Sequence, residues 1–456
     1  MEKNKYLIKN VGILTISNFS SKILVFLLVP FYTSMLTTEE YGFYDMMIST
    51  VQLIFPLLSV NIVDSVMRYA IDKEYRLESV ISIGFMFVSI SAVFAVLILA
   101  IIPIDYDNNI KGVVFVYYVC YALNQYLVQL AKGCEKILEL GISSVLGTIF
   151  MVTGLGLFLF YKNFGLYGFM WANILGLIVP CIYLIYKLKL YENLAIIYIE
   201  KKLVCEMIHF SLPLLFTVIG WWINSSFSRY AVSAFIGLAA NGILAISYKI
   251  PTIINTIYSV FIQAWQVSAI KAYEELDRNR FFDEVFNKFN FILLLVCSVL
   301  IFLSKTIAGL LYAKEFYSAW ELAPFLLISS IINGAAGFVG PVISAGKNTK
   351  AMAMSAFWGA LINVGGSLLL INNVGLFGSV IASILSSCGI YYYRMYSVRS
   401  VWTYTNKNML LVSWMILIVQ AIMDVFYEFV FGEVVCFALI MWLFGNNSNF
   451  TREEDI

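Results

Sequence analysis

Three basic residues stand inside stretches that are otherwise apolar: Lys22, Arg229 and Lys249. A Lys or Arg near the middle of a bilayer costs at least about 2.5–3.5 kcal/mol, so it ordinarily faces a wet cavity or a partner. Guanidinium and ammonium groups bind phosphate oxygens through charge-assisted hydrogen bonds, so three of them in one cavity suit a diphosphate or another anion. Their neighbours recur at helical spacing. Lys249, Thr252, Thr256, Ser259 and Gln263 follow at steps of 3, 4, 3 and 4 and share one helix face. An offset of 200 gives Asp45, Ser49, Gln52, Pro56 and Ser59, again one face. Thr15, Asn18 and Lys22 share a face, as do Trp222, Ser225 and Arg229. Lys22, Arg229 and Lys249 are therefore the candidate substrate-binding residues, with Asn18, Gln52, Thr252, Thr256 and Gln263 as candidate cavity lining. The plainer readings are interhelical packing for the hydroxyls and snorkelling for Arg229 or Lys249.

The elements that must position these groups are membrane spans. Hydrophobic residues make up 61% of the chain and charged residues 12%, about half the charge of a soluble domain. Fourteen apolar stretches are each long enough to cross about 30 Å of hydrocarbon. They lie at roughly 11–36, 42–63, 79–103, 112–132, 138–161, 165–188, 211–235, 242–268, 285–312, 321–345, 351–372, 375–398, 408–425 and 427–445. The first is too long for a signal-peptide core and lacks a small-residue cleavage site, so it is expected to stay in the membrane. Between the spans, 22 Lys and Arg fall on one side and 4 (Lys111, Lys162, Lys305, Lys314) on the other. Positive charge stays inside, which puts both termini in the cytoplasm.

The remaining composition excludes other chemistry. Net charge is +1, so no nucleic-acid partner is implied. The seven cysteines have no metal-ligand spacing and read as no disulfide framework, and His209 is the only histidine. No cofactor, metal or catalytic residue is expected. Aromatic residues reach 16%. Trp221, Trp222, Tyr230, Tyr248, Tyr258 and Trp265 cluster on the helices that carry the charges, where rings stack on sugars, pack on an acyl chain or simply fill space.

The chain is duplicated. Asn163–Leu175 and Asn373–Leu385 agree at seven of thirteen positions at an offset of 210, and Tyr183 and Tyr186 match Tyr393 and Tyr396. Tyr41-Gly42 corresponds to Asn241-Gly242, and Gly133 to Gly346. Spans 1–6 and 7–12 are thus expected to be parallel repeats, because six spans return the chain to the same side. The expected fold is an all-α integral membrane protein of about 14 transmembrane helices. It has two six-helix lobes, 1–200 and 201–400, and two further helices with a cytoplasmic tail at 401–456. Two such lobes suggest a central cavity and alternating access.

The residues also carry a family resemblance. Asn10-Val-Gly-Ile-Leu14, Pro30-Phe-Tyr-Thr-Ser-Met-Leu36 and Glu40-Tyr-Gly-Phe-Tyr44 resemble the start of the bacterial polysaccharide-unit flippases. These form the oligosaccharide branch of the multidrug/oligosaccharidyl-lipid/polysaccharide exporter (MOP) superfamily. Ser228-Arg-Tyr230, Asn241–Lys249 and Gly165-Leu-Tyr-Gly168 fit as well. The resemblance implies a two-lobed fold of twelve or fourteen helices and a cationic lumen. It also implies transfer of undecaprenyl-diphosphate-linked oligosaccharide (O-antigen-type repeat units) to the outer leaflet of the bacterial inner membrane. Expected partners are that lipid-linked oligosaccharide, membrane lipids, and polysaccharide polymerase and chain-length machinery. Arg229 and Lys249 occupy positions that are often basic in this group. Many relatives carry an acid where this chain has Ser228, so Asp45 and Asp64 become the candidate ion-coupling groups.

Two competing transport readings remain, an ion-coupled multidrug antiporter of the same fold and a flippase for the peptidoglycan precursor lipid. The first wants carboxylates within the lobes, whereas the intramembrane charges here are positive. A polymerase or glycosyltransferase is disfavoured, because the longest outer loops, around 104–111 and 313–320, are too short for an external domain.

Overall fold

The structure, a computed structural model, describes residues 24–72, 74–101, 109–162, 164–194 and 198–447. Lys22 and Asn18, together with Thr15, lie outside the described residues. Among those described, every regular element is a helix, as expected where backbone polar groups must be satisfied without water.

The first half comprises α1 (Val29–Met35), α2 (Thr38–Leu58), α3 (Ile62–Ile71), α4 (Leu77–Ile101), α5 (Ile110–Gly133), α6 (Ile137–Gly154) and α7 (Gly165–Lys187). A π-helical turn at Leu155–Tyr161 continues α6. The second half comprises α8 (Lys201–Phe235), α9 (Leu238–Ser247), α10 (Pro251–Ala272), α11 (Arg278–Phe302), α12 (Ser304–Leu311), α13 (Ala323–Ala345), α14 (Thr349–Val374) and α15 (Leu376–Val398). Then come α16 (Lys407–Ile422), a π-turn at Met423–Tyr427, and α17 (Val430–Asn447).

Eleven helices among the described residues are long and apolar enough to span a bilayer, or twelve when α2 and α3 count as one bent span. The expected fourteen is therefore not reached. Half of the first expected span, residues 11–23, lies outside the described residues, its remainder Leu24–Met35 is short, and so is the last, Val430–Phe444. The expected second span is broken, with α2 and α3 meeting at 62°. The expected eighth is also broken, between α9 and α10. Pro251 explains the latter: it has no N–H to continue the ladder from Ser247. Its counterpart at the 200-residue offset is Val51, and α2 runs through that point unbroken.

The repeat has a packing cause. Gly165 (φ +54°) and Gly375 (φ +63°), 210 residues apart, both adopt the left-handed region where α7 and α15 begin, a conformation that suits glycine. Three residues on, a Cβ at Gly168 would meet the Phe158 carbonyl oxygen at 2.8 Å, and one at Gly378 the Leu370 carbonyl carbon at 2.5 Å. Both glycines let a helix lie directly on the backbone before it. Gly154 and Gly366, 212 apart, make a similar approach to Ala172 and Ala382, which are 210 apart.

The chain forms two compact units, Met1–Trp222 and Ile223–Ile456. The division falls inside α8 rather than at residue 200. In its first part, Met207 accepts through its carbonyl from Ser65 (2.7 Å), and the Trp222 indole donates to the Ser49 carbonyl (2.7 Å). In its second part, Ala231 and Val232 join Leu244, Leu322, Leu326, Ile371 and Val380 in the core of the second unit.

Candidate functional site

The cationic site is organised around the break between α9 and α10. Tyr248 closes α9, and its ring packs against the core that holds Ala231, Val232 and Leu244. Arg229, one turn earlier on α8 than that core pair, places its guanidinium over this ring, 5.5 Å from the centroid. Lys249 follows Tyr248 within the non-helical turn and is half-buried, as is Arg229. The core fixes the ring, the ring seats Arg229, and Pro251 holds the turn that presents Lys249. Of the three expected cations, Arg229 thus lies over the Tyr248 ring and Lys249 is that residue's neighbour in the chain.

The hydroxyl stripe of α10 behaves differently. Thr252 donates to the Tyr248 carbonyl, Thr256 to Thr252 and Ser259 to Thr256, each at 2.8 Å. These protons are spent on the helix's own backbone, the usual state of Ser and Thr inside a span. Thr252 is half-buried, Thr256 buried and Gln263 exposed. Gln52, the counterpart of Thr252 on α2, is exposed. The stripe thus has no common degree of burial.

Asp64 lies in the first turn of α3, just after the bend. Asn61 donates to one carboxylate oxygen at 2.7 Å and Gln129 to the other at 2.6 Å, while Lys132 donates to Gln129 at 3.1 Å. Both oxygens are therefore engaged in tying the new helix to α5. Asp45 is half-buried in α2. Ser228 points into the second unit, donating to Asn363 at 2.8 Å and lying 3.1 Å from the Ser367 hydroxyl. One turn earlier, Asn224 accepts from Ser386 at 3.1 Å. The acid expected at position 228 from the resemblance is here replaced by a buried neutral hydrogen-bond cluster.

Sequence reasoning missed the partners Gln129, Asn363 and Ser367. Their signal is weak, since a lone amide in a span matches no motif. It also counted Arg394 among the 22 basic residues on the inner side of the membrane. In the structure Arg394 is 4% exposed, donating to Ser355 Oγ at 3.1 Å and to the Ala336 carbonyl at 2.8 Å. It ties α13, α14 and α15 together with neutral acceptors. Among the described residues no group of three His, Cys, Asp or Glu could hold a metal ion, and all seven cysteines are free.

Known proteins place this architecture. Residues 7–266 match the family described as "Polysaccharide biosynthesis protein". No curated protein matches the chain. Among solved structures, it is similar to the lipid II flippase MurJ in an inward closed conformation, at 17% identity and TM-score 0.69, over 96% of this chain and 98% of that one. It is also similar to a multidrug resistance MATE family transporter of the MOP superfamily, inward-facing, at 14% identity and TM-score 0.67, over 85% and 98%. A third is a MOP superfamily transporter from Pyrococcus furiosus, at 14% identity and TM-score 0.56, over 86% and 96%. At these identities the likeness is one of fold. The chain is a multi-pass helical membrane protein with the fold of the MOP-superfamily transporters, and it belongs to the polysaccharide biosynthesis protein family.

Proposed function

We propose that the protein is a flippase for undecaprenyl-diphosphate-linked oligosaccharide repeat units, carrying them from the inner to the outer leaflet of a bacterial inner membrane by alternating access. The observation that carries this reading is the seating of Arg229 on Tyr248 beside Lys249, within the spanning part of the chain. A guanidinium and an ammonium at one helix break match a diphosphate, and the aromatic ring offers a face to a sugar or an isoprenoid. The match to the polysaccharide biosynthesis family supports a glycan-bearing lipid over a free drug. Lys22 is the third cation in this reading, both termini face the cytoplasm, and polymerase and chain-length proteins are the partners.

The mechanism is electrostatic and steric. The cations compensate the diphosphate while the polar head leaves the aqueous phase, and the isoprenoid tail stays in lipid. This lowers the cost of drawing charged oxygens through hydrocarbon. Asp45 and Asp64 stay the candidate ion-coupling groups in this reading, although both oxygens of Asp64 are bonded within its own unit.

The test is protein-dependent exposure of a fluorescent undecaprenyl-diphosphate oligosaccharide on the far leaflet of liposomes. Exposure that falls with Arg229→Ala and Lys249→Ala supports the reading. Absence of exposure beside a working control flippase sinks it, and ion-driven efflux of organic cations would then favour the antiporter.

A further inference from the structure

The first unit holds an open cavity of about 320 Å³ between α5, α6 and α7, lined by both polar and apolar side chains. Its walls carry Tyr117, Asn124, Ser143, Ser144, Thr148 and Asn173, with no charged side chain. These residues sit deep in their spans. Thr148 is the twelfth residue of the 23-residue stretch Ile137–Leu159 and Asn173 the ninth of Gly165–Lys187, so each lies about 12–16 Å from its helix start. Several polar groups at mid-membrane depth are costly unless something satisfies them.

The hydrogen bonds inside the walls show what is lacking. Asn173 spends its amide on the Phe169 carbonyl (2.8 Å), Thr148 its proton on Ser144 (3.0 Å) and Ser143 its proton on Leu140 (2.8 Å). Thr148 and Ser143 are left as acceptors, whereas Asn173 keeps a second N–H as well as its carbonyl oxygen. Pro180 adds another acceptor, because it offers no N–H to the Gly176 carbonyl four residues earlier. Gly147 permits this approach, since a Cβ there would meet that oxygen at 2.6 Å. The equivalent place in the second unit carries different side chains. Gly176 corresponds to Ser386, which donates to the Gly359 carbonyl at 2.7 Å, and Leu184 corresponds to the bridging Arg394.

We infer that this cavity is a subsite for one uncharged sugar residue of the lipid-linked glycan, an inference that rests on the proposed function. A sugar hydroxyl both donates and accepts, and so matches a wall of uncharged hydroxyls and amides. The apolar patches formed by Val128, Met151 and Leu177 cover its C–H faces. The volume lies in the range of small-ligand pockets and exceeds the needs of a dehydrated monovalent ion. With no carboxylate in the wall, a cation would also lack its usual countercharge.

The experiment measures what the purified full-length protein retains, by mass spectrometry. One probe is the lipid-linked glycan pool extracted from the host envelope, and the other is undecaprenyl diphosphate alone. Wild type is expected to prefer the glycan-bearing lipid by about tenfold or more, the worth of one or two buried hydrogen bonds. Asn173→Leu should bring the preference close to unity and leave undecaprenyl diphosphate retention unchanged. Thr148→Val, nearly isosteric, serves where the larger change disturbs folding, and should lower the preference severalfold. An undiminished preference in both variants overturns the subsite and leaves the cavity to water. A preference that vanishes when choline replaces sodium assigns the cavity to a cation and overturns it too. A wild type that retains neither lipid refutes the proposed function itself.

Discussion

The guanidinium carbon of Arg229 stands 5.5 Å from the ring centroid of Tyr248, joining α8 to the end of α9. This contact relates two residues nineteen positions apart and makes the ring the platform of the cationic site. Its strength is that of a partly desolvated cation–π pair, about 1–2 kcal/mol. Tyr248→Phe should keep translocation near wild type, because the ring face remains. Tyr248→Leu should lower it about tenfold, and Arg229→Ala by at least as much. Initial rates of glycan exposure in liposomes, normalised to protein content, decide this.

The turn that presents Lys249 depends on Pro251. Pro251→Ala restores the missing N–H and favours a helix running through from α9 into α10, as α2 runs through Val51. The expected outcome is equal or higher thermal stability with lower translocation. Melting of the purified protein and liposome assays on the same preparation check it. Unchanged translocation would remove the break from the mechanism.

Gly168 and Gly378 should respond alike to Ala, because each added Cβ meets backbone at 2.8 Å or less. Backbone cannot swing aside as a side chain can. Each substitution should destabilise its unit by about 1–3 kcal/mol. Gly220, where a Cβ meets nothing within 4 Å, is the control and should tolerate Ala. Denaturation in detergent reads all three.

Arg394→Ala leaves the Ala336 carbonyl and Ser355 without their buried donor. The expected cost is about 2–4 kcal/mol, in line with hydrogen bonds to a charged group. Arg394→Lys should recover only part of it, since one ammonium cannot reproduce the fork. Asp64→Asn should likewise lower stability, by about 1–2 kcal/mol, with the pH dependence of translocation unaltered. A shifted pH profile for Asp64→Asn would mark it as an ion-coupling group.

Tyr75, in the loop before α4, donates to the Glu206 carboxylate at 3.0 Å, and that bond holds its phenol above the ordinary value. A folded value raised above the unfolded one gives stability that is fully present below about pH 10 and is lost as pH rises through the folded value. Tyr75→Phe should therefore narrow its stability difference from wild type in strongly alkaline buffer. Thermal melts from pH 8 to 11 measure the convergence.

Much of this protein was legible in its amino-acid order, for a physical reason. A bilayer demands long apolar helices, so hydropathy alone reports the all-α class and most spans. The duplicated Gly-Leu-x-Gly is visible because positive φ and backbone-to-backbone approach admit almost no other residue. Arg229 and Lys249 stand out because charge in hydrocarbon is costly. Tertiary structure alone decided the rest. Whether Thr252 lines a site or bonds its own helix depends on a rotamer, and whether Asp64 is available depends on Gln129, 65 residues away. The place where α8 passes from one compact unit to the other follows from which neighbours Trp222 and Ala231 find. Those contacts are made between residues distant in the chain, and helical periodicity carries no record of them.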